Sequence, residues 1–402
     1  MPFFSFKEKE ELSLLIDVGN GTLTVALTLF SKNKQPKFLN SIKMPFVIGE
    51  KPDADRLLEN MYSLLDSGLS KLLKDGTPKD PSDGKVYRIS RAMVAYSSPW
   101  FILKTKHLSL SQDVPFFITK SFLDDIASKE EKIFKEELNK NDPEMKGSFE
   151  VIEKSIVHTK INGYNLDYSI GKKTKTLDAF LCLSVVTKSI IEKTMDTIMK
   201  YTHIGRDKVL MHTFPLVSFS VIRDILGNDS DFVIFDVTSE VTDVTLVQNS
   251  VVTQTASIPS GRNFIIRAIV REFNVSFEIA ESMLSMSKNA KMDEKTGDKM
   301  QEIIANTEKE WNIYLENALS ELSSDISLPA NVYMTADEDI ADIYFSFLKM
   351  PKMDRTEVWR KNIKIVHVNG DFLKNLYEVA PTVKVDEFIA LSAVFFEKIW
   401  NK

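Results

Sequence analysis

Apolar and polar positions alternate in the same way twice along this chain, about half a chain apart. In LSLLIDVGNGTLTVALTL, residues 12–29, an apolar run reaches Asp17, a short polar turn follows, and alternation resumes at Val25 and Leu27. In FVIFDVTSEVTDVTLVQN, residues 232–249, an apolar run reaches Asp236 and alternation resumes at Val244 and Leu246. Period-two runs broken by a tight polar turn predict a strand, a turn and a second strand. The offsets agree on both sides of the acid: Asp17 falls on Asp236, Val18 on Val237, Val25 on Val244. Such a repeat predicts a duplicated architecture, with one hairpin opening each of two domains.

The pattern between and after the hairpins completes the elements. Leu57, Leu58, Met61, Leu64, Leu65 and Leu69 recur at helical spacing. The polar DGTPKDPSDGK is a loop, and KVYRISRAMVAYS is a strand. From about 101 to 185 the texture changes. Short strands are expected around the charge-rich ASKEEKIFKEELNKNDPEMKG, which reads as a solvated helix and loop. Helix TKSIIEKTMDTIMKY and strand KVLMHTFPL follow. After the second hairpin come strand VVTQTASIP, the turn SGRN, helix FIIRAIVREFN and a long charged helix from DEKTGDKM to SELSS. Strand ANVYMTA, helix DEDIADIYFSFLKM, strand IKIVHVN and helix VDEFIALSAVFFEKIW close the chain. Strands alternating with helices predict an α/β fold with mixed sheets. The expected division is a first domain over 12–100 and 186–228, an inserted small α+β subdomain over 101–185, and a second domain over 229–380. Residues 381–402 are expected to form a helix packing back on the first domain.

Composition narrows the function classes. The chain has 402 residues, 43% of them hydrophobic and 27% charged, enough for two cores of ordinary globular character. A net charge of −6 argues against a general affinity for nucleic acid. The single cysteine, Cys182, excludes an internal disulfide and sits in the apolar AFLCLSVV, where a packed thiol is expected. The histidines at 107, 158, 203, 212 and 367 have no metal-ligand spacing. No apolar stretch approaches the roughly 20 residues of a membrane span. Charges beginning at Lys7 leave no signal-peptide run. Phe3, Phe4 and Phe6 before those charges read as a frayed end, or as a weak membrane or partner anchor. No Gly-x-Ser-x-Gly, Walker loop or cysteine pair occurs, and no catalytic residue is assigned.

Taken together, LLIDVGNGTLTVAL, VIFDVTSEVTDVTL, SIPSGRNFIIRAIVREFNVSFEIAESML and NVYMTADEDIADIYFSFL resemble the actin-like ATPase superfamily. Within it the chain is most similar to the FtsA-like division proteins, with the PilM-like pilus-assembly proteins next. The resemblance spans nearly the whole chain in order. It implies an actin-like two-domain fold with duplicated mixed sheets and an FtsA-type insertion at 101–185. A first phosphate loop is implied at Asp17, Gly19, Asn20, Gly21 and Thr22, and a second at Asp236, Thr238 and Ser239. Further nucleotide contacts are implied at Gly261, Glu281, Thr335 and Ala336, with Asp17 and Asp236 holding magnesium through waters. Several positions depart from the family pattern. Thr238 and Ser239 stand where the family has glycines, Ala336 and Asp337 replace a glycine pair, and Leu284 stands where a lysine is frequent. Phe214 stands where many FtsA sequences have an acid. A carboxylate ~4 Å from a phosphate costs about 4 kcal/mol at an effective dielectric near 20. Asp337 is therefore expected to turn away and cap the helix that follows it. Glu240 would add another like charge.

These features lead to an expectation of weak ATP–magnesium binding, hydrolysed slowly or not at all. The expected function is a cytoplasmic actin-like scaffold at the inner face of the membrane, organising the division machinery. A PilM-like pilus role is the alternative, and an active actin-fold ATPase a third reading. Expected partners are proteins bound through 101–185, further copies of the chain, and the membrane through a partner, with no nucleic acid. FtsA proteins usually add a linker and an amphipathic membrane helix after the fold, which this sequence does not contain.

Overall fold

The computed structural model describes residues 10–74, 78–80, 84–141, 147–166, 169–227, 231–288, 292–322, 328–349 and 357–400. Phe3, Phe4 and Phe6 lie outside them. The first hairpin is β1 (Glu10–Val18) and β2 (Thr22–Ser31), paired antiparallel with Asp17 opposite Thr24. Both strands are buried along nearly their whole length, as strands covered on two faces must be. They are followed by β3 (Lys37–Pro45), α1 (Ala54–Leu72) and β4 (Ile89–Tyr96). The Asp53 side chain starts α1 by accepting from the backbone N–H of Arg56. The inserted segment contributes β5 (Phe101–Phe117), α2 (Lys120–Asn141), β6 (Phe149–Ile161), β7 (Tyr164–Leu166) and β8 (Lys173–Thr187). Its main strands are long rather than short: β5 has 17 residues and β8 has 15. The chain then returns through α3 (Lys188–Thr202), β9 (Val209–Thr213) and α4 (Phe214–Leu226).

The second hairpin is β10 (Phe232–Val237) and β11 (Thr242–Gln248), with Asp236 opposite Asp243. Asp17 to Thr24 and Asp236 to Asp243 are the same step, so the repeat seen in the sequence is a repeat of register. Next come β12 (Val251–Ile258), α5 (Arg262–Phe273), α6 (Phe277–Lys288), α7 (Glu294–Leu322), β13 (Asn331–Ala336) and α8 (Ala341–Lys349). The chain ends with α9 (Glu357–Asn362), β14 (Lys364–His367), α10 (Gly370–Leu373), β15 (Glu378–Val379) and α11 (Glu387–Trp400).

Two sheets share one topology. The first runs β15-β3-β2-β1-β4-β9 and the second β12-β11-β10-β13-β14. Apart from the two-residue edge strand β15, which pairs parallel to β3, each has three antiparallel strands followed by two parallel ones, and the acid-bearing strand, β1 or β10, is where the direction changes. Ligands in open α/β sheets gather outside such strand ends. Helices α4 and α11 fill the space between the sheets: Phe214, Phe219 and Leu391 pack with Phe232 and Ile234. Helix α11 also covers the first sheet, with Phe396 edge-on to Phe30 at 4.9 Å. The inserted sheet, β5-β8-β6-β7, has α2 on one face, where Ala127 and Phe134 bury Leu181, Leu183 and Val185. Cys182 is fully buried, and burial pushes its thiol pKa up to about 12, as suits a packed and unreactive sulfur. No helix among the described residues is long and apolar enough to cross a membrane.

Candidate functional site

The ends of β1 and β10 bring the two acids to one place. Asp17 and Asp236 are each 3% exposed, and each has a carboxylate oxygen, Asp17 Oδ1 and Asp236 Oδ2, without a hydrogen-bond partner. Burial raises both pKa values well above the usual carboxylate range. Asp386 and then Asp236 add to the effect at Asp17. The other oxygen of Asp236 accepts from Thr335 Oγ1 at 2.6 Å, which explains the threonine next to the end of β13. Ala336 is buried beside it, its carbonyl 3.1 Å from His367 Nε2.

The two turns that follow the acids touch each other. Asn20, fully buried, donates from Nδ2 to the Ser98 carbonyl at 2.6 Å and to Thr238 Oγ1 at 2.7 Å. Its Oδ1 accepts from the Glu240 N–H at 2.8 Å. Gly21 lies so close to Ser239 that a Cβ there would sit 1.9 Å from Ser239 Oγ. Gly19 makes the turn itself, its N–H bonded to the Thr22 carbonyl and its carbonyl accepting from Trp100 Nε1 at 2.6 Å. The second turn also caps α5. Thr238 and Ser239 carbonyls accept from the N–H groups of Arg262 and Asn263, and Gly261 is small because a Cβ would meet the Thr238 carbonyl at 2.2 Å.

Beside this junction opens a cavity of about 460 Å³. Gly21, Thr22, Ser239 and Glu281 line it, whereas the other expected contacts do not, and all of those but the half-buried Thr238 are buried. Sequence reading missed much of the wall: Lys43, Arg262, Asp386 and Glu387. Lys43 Nζ contacts Asp337 at 2.8 Å and Asp386 at 3.5 Å. Burial opposes its charge, and the two carboxylates outweigh burial, so its pKa lies above the ordinary lysine value. Arg262 divides itself between Asp339 and Glu281, 2.8 Å from each. Asp337 therefore does not cap α8 with its side chain as expected. Its backbone carbonyl accepts from Ile340 and Ala341, and its carboxylate turns to Lys43. Nor is Glu240 an unpaired charge, because it holds Arg267 bidentately at 2.7 Å and 2.7 Å and accepts from Asn263. Only Arg262 and Asn263 had a sequence signal, lying in the SGRN turn itself.

No protein-family model matches the sequence, and no curated protein matches it. Among solved structures, a chain of a PilM–PilN type IV pilus biogenesis complex superposes over 96% of this chain and 98% of its own, at TM-score 0.60 and 12% identity. This chain has the actin-like ATPase fold. Looser likenesses include ethanolamine utilization protein EutJ from Carboxydothermus hydrogenoformans (TM-score 0.41, 8% identity, 94% and 89% covered). Another is a Bacteroides thetaiotaomicron protein with an actin-like ATPase fold and unknown function (TM-score 0.37, 11% identity, 98% and 99% covered).

An actin-like fold implies a nucleotide with magnesium between the two turns. The unpartnered oxygens of Asp17 and Asp236 are suitable chemistry for a hydrated cation, although no three His, Cys, Asp or Glu among the described residues form a metal-binding group. The phosphates do not fit. Ser239 lies against Gly21, and the first N–H groups of α5, an anion site when free, are bonded to Thr238 and Ser239 carbonyls. Both cations of the cavity are already shared, each between two carboxylates.

Proposed function

We propose that this protein is an actin-like scaffold that recruits a protein partner through the inserted 101–185 lobe, in a PilM-like pilus-assembly role ahead of an FtsA-like division role. The whole-length likeness to a chain of a pilus complex supports that order, which reverses the ranking drawn from the insertion alone. The site chemistry supports a scaffold over a turning-over ATPase. The division into a first domain (12–100 and 186–228), the lobe, a second domain (229–380) and a C-terminal helix is part of the same proposal. Three separate sheets support it, with the exception that β15 joins the first sheet.

The observation that carries the lobe as docking surface is the sheet face turned away from α2. Near its base this face is buried, at Cys182 and Ser184. Further out it is open. Phe180 lies there with His107 stacked on it at 4.6 Å and His158 at 5.9 Å, and Lys160 Nζ is 5.7 Å from the ring centroid. Asp178 meets His107 Nε2 at 3.0 Å. An aromatic ring stacked on one histidine, with a second histidine and a lysine close by, suits a short partner segment presenting an apolar side chain.

Co-expression with a PilN-like pilus protein tests the reading. The full chain should co-purify with it, and Phe180→Ala combined with His107→Ala should weaken binding at least about tenfold, one aromatic anchor's worth. Binding that ignores these changes, or recovery of a tubulin-like division partner instead, would remove the pilus reading. Steady phosphate release from ATP would remove the scaffold.

A further inference from the structure

The contacts that cross the cleft, from residues before position 100 to the second hairpin and the elements beside it, fall into two kinds. At the floor of the cleft they are uncharged or buried. Asn20 spends both amide hydrogens and its oxygen on Ser98, Thr238 and Glu240. Ser98 Oγ donates to Asp243 at 2.8 Å, and Gly21 packs on Ser239. At the rim they involve charge. Lys43 reaches Asp337, and Arg267, its fork held by Glu240, donates from Nε to the Gly49 carbonyl at 2.9 Å.

We infer that this cleft is latched shut by the protein's own groups, so that its closed form needs no nucleotide and gains nothing from one. In an actin-like cleft a ligand bridges the two turns and its binding free energy holds the domains together. Here Asn20 is that bridge. It joins the two turns and reaches Ser98 just past β4, and its hydrogen-bonding groups have protein partners in a dry site, where such bonds are strongest and costly to break. The Lys43 ammonium plays the corresponding role at the rim, holding Asp337 of the second half and Asp386 ahead of α11. A ligand shifts a two-state equilibrium only by its preference for one state. A nucleotide that had to break the Asn20 bridge and displace Ser239 would prefer the open form. The inference stands whether or not the lobe recruits a partner.

Hydrogen–deuterium exchange of the full chain reads the latch directly, because the Glu240 N–H is bonded to Asn20 Oδ1. In the wild type this amide should be protected, and millimolar Mg·ATP should leave its protection unchanged. Protection that rises with Mg·ATP, or an amide that exchanges as fast as exposed loops from the start, overturns the inference without recourse to any variant. Asn20→Ala should speed exchange across 237–242 about tenfold, the loss of one buried hydrogen bond. Unchanged exchange there would also overturn it. Raising the salt concentration should loosen the half-exposed Lys43–Asp337 contact and spare the buried floor.

Discussion

Glu387 is the first residue of α11, 8% exposed at the cavity wall, and one of its carboxylate oxygens has no partner. Burial, then the charge of Asp386, pushes its pKa up to about 8, with Asp337 adding to the shift and Lys43 opposing it. The sign of the consequence follows from proton counting. Between the ordinary carboxylate range and about pH 8 the folded chain holds a proton on Glu387 that the unfolded chain has released. Stability therefore falls as pH rises through that window, by at most about 1.4 kcal/mol per pH unit for one proton. Asp17 and Asp236, also shifted upward by burial, act in the same direction. Urea unfolding between about pH 5 and pH 8 should show this decline, and Glu387→Gln should flatten part of it and stabilise the chain at the alkaline end. An identical slope in the variant would place the titration elsewhere. None of this is legible in DEFIAL, where Asp386 and Glu387 look like the acidic first turn of an exposed helix. What changes them is the burial of α11 between two sheets.

At the scale of elements, one buried side chain of the lobe hydrogen-bonds the lobe to the first sheet, beside the apolar packing of Cys182 on Phe214. The pairing of β6 with β8 slips between Val151 and Glu153, which brings Glu153 opposite Ser184. Its carboxylate, 7% exposed, accepts from Ser184 Oγ at 2.6 Å and Thr213 Oγ1 at 2.8 Å and meets His212 Nδ1 at 2.9 Å. Ser184 is in the lobe and the other two are on β9. Glu153→Ala should cost about 3 kcal/mol in urea unfolding, because three polar groups lose their acceptor in a largely buried site. Glu153→Gln keeps one acceptor oxygen and should cost less. Equal small losses would mean that water replaces the carboxylate. The contrast with the hairpins shows why some elements could be read from the sequence and others not. β1, β2, β10 and β11 are short, buried and period-two, so their register followed from the residues. In β5 and β8 apolar positions face α2 on one side and a mixed polar face on the other. Their alternation is diluted by lysines and threonines, and they read as shorter strands than they are. The two-residue β15 has no pattern to read.

The whole molecule depends on how its halves meet, and there the sequence was least informative. Each turn could be recognised by its acid and its glycines or hydroxyls, but Asn20 and Thr238 are 218 positions apart. No local period records whether they sandwich a ligand or touch. The contact of Gly21 with Ser239 offers a test of that closure which involves no ligand. An alanine at 21 would place its Cβ 1.9 Å from Ser239 Oγ and 2.0 Å from Ser239 Cβ. The hydroxyl can rotate away but the Cβ cannot, so the halves must separate or the backbone must shift. Gly21→Ala should then destabilise the chain by about 2 kcal/mol, within the range for overpacking a closed site. Ser239→Gly alone should cost less, since it removes one hydroxymethyl and adds backbone freedom to a turn. Combined, the two changes should recover most of the loss, with a coupling of about 1–2 kcal/mol, as expected of residues in direct contact. If the two losses add instead, the turns do not touch in solution. The cleft would then be open enough to admit a phosphate, and the latch would be a property of one conformation rather than of the protein.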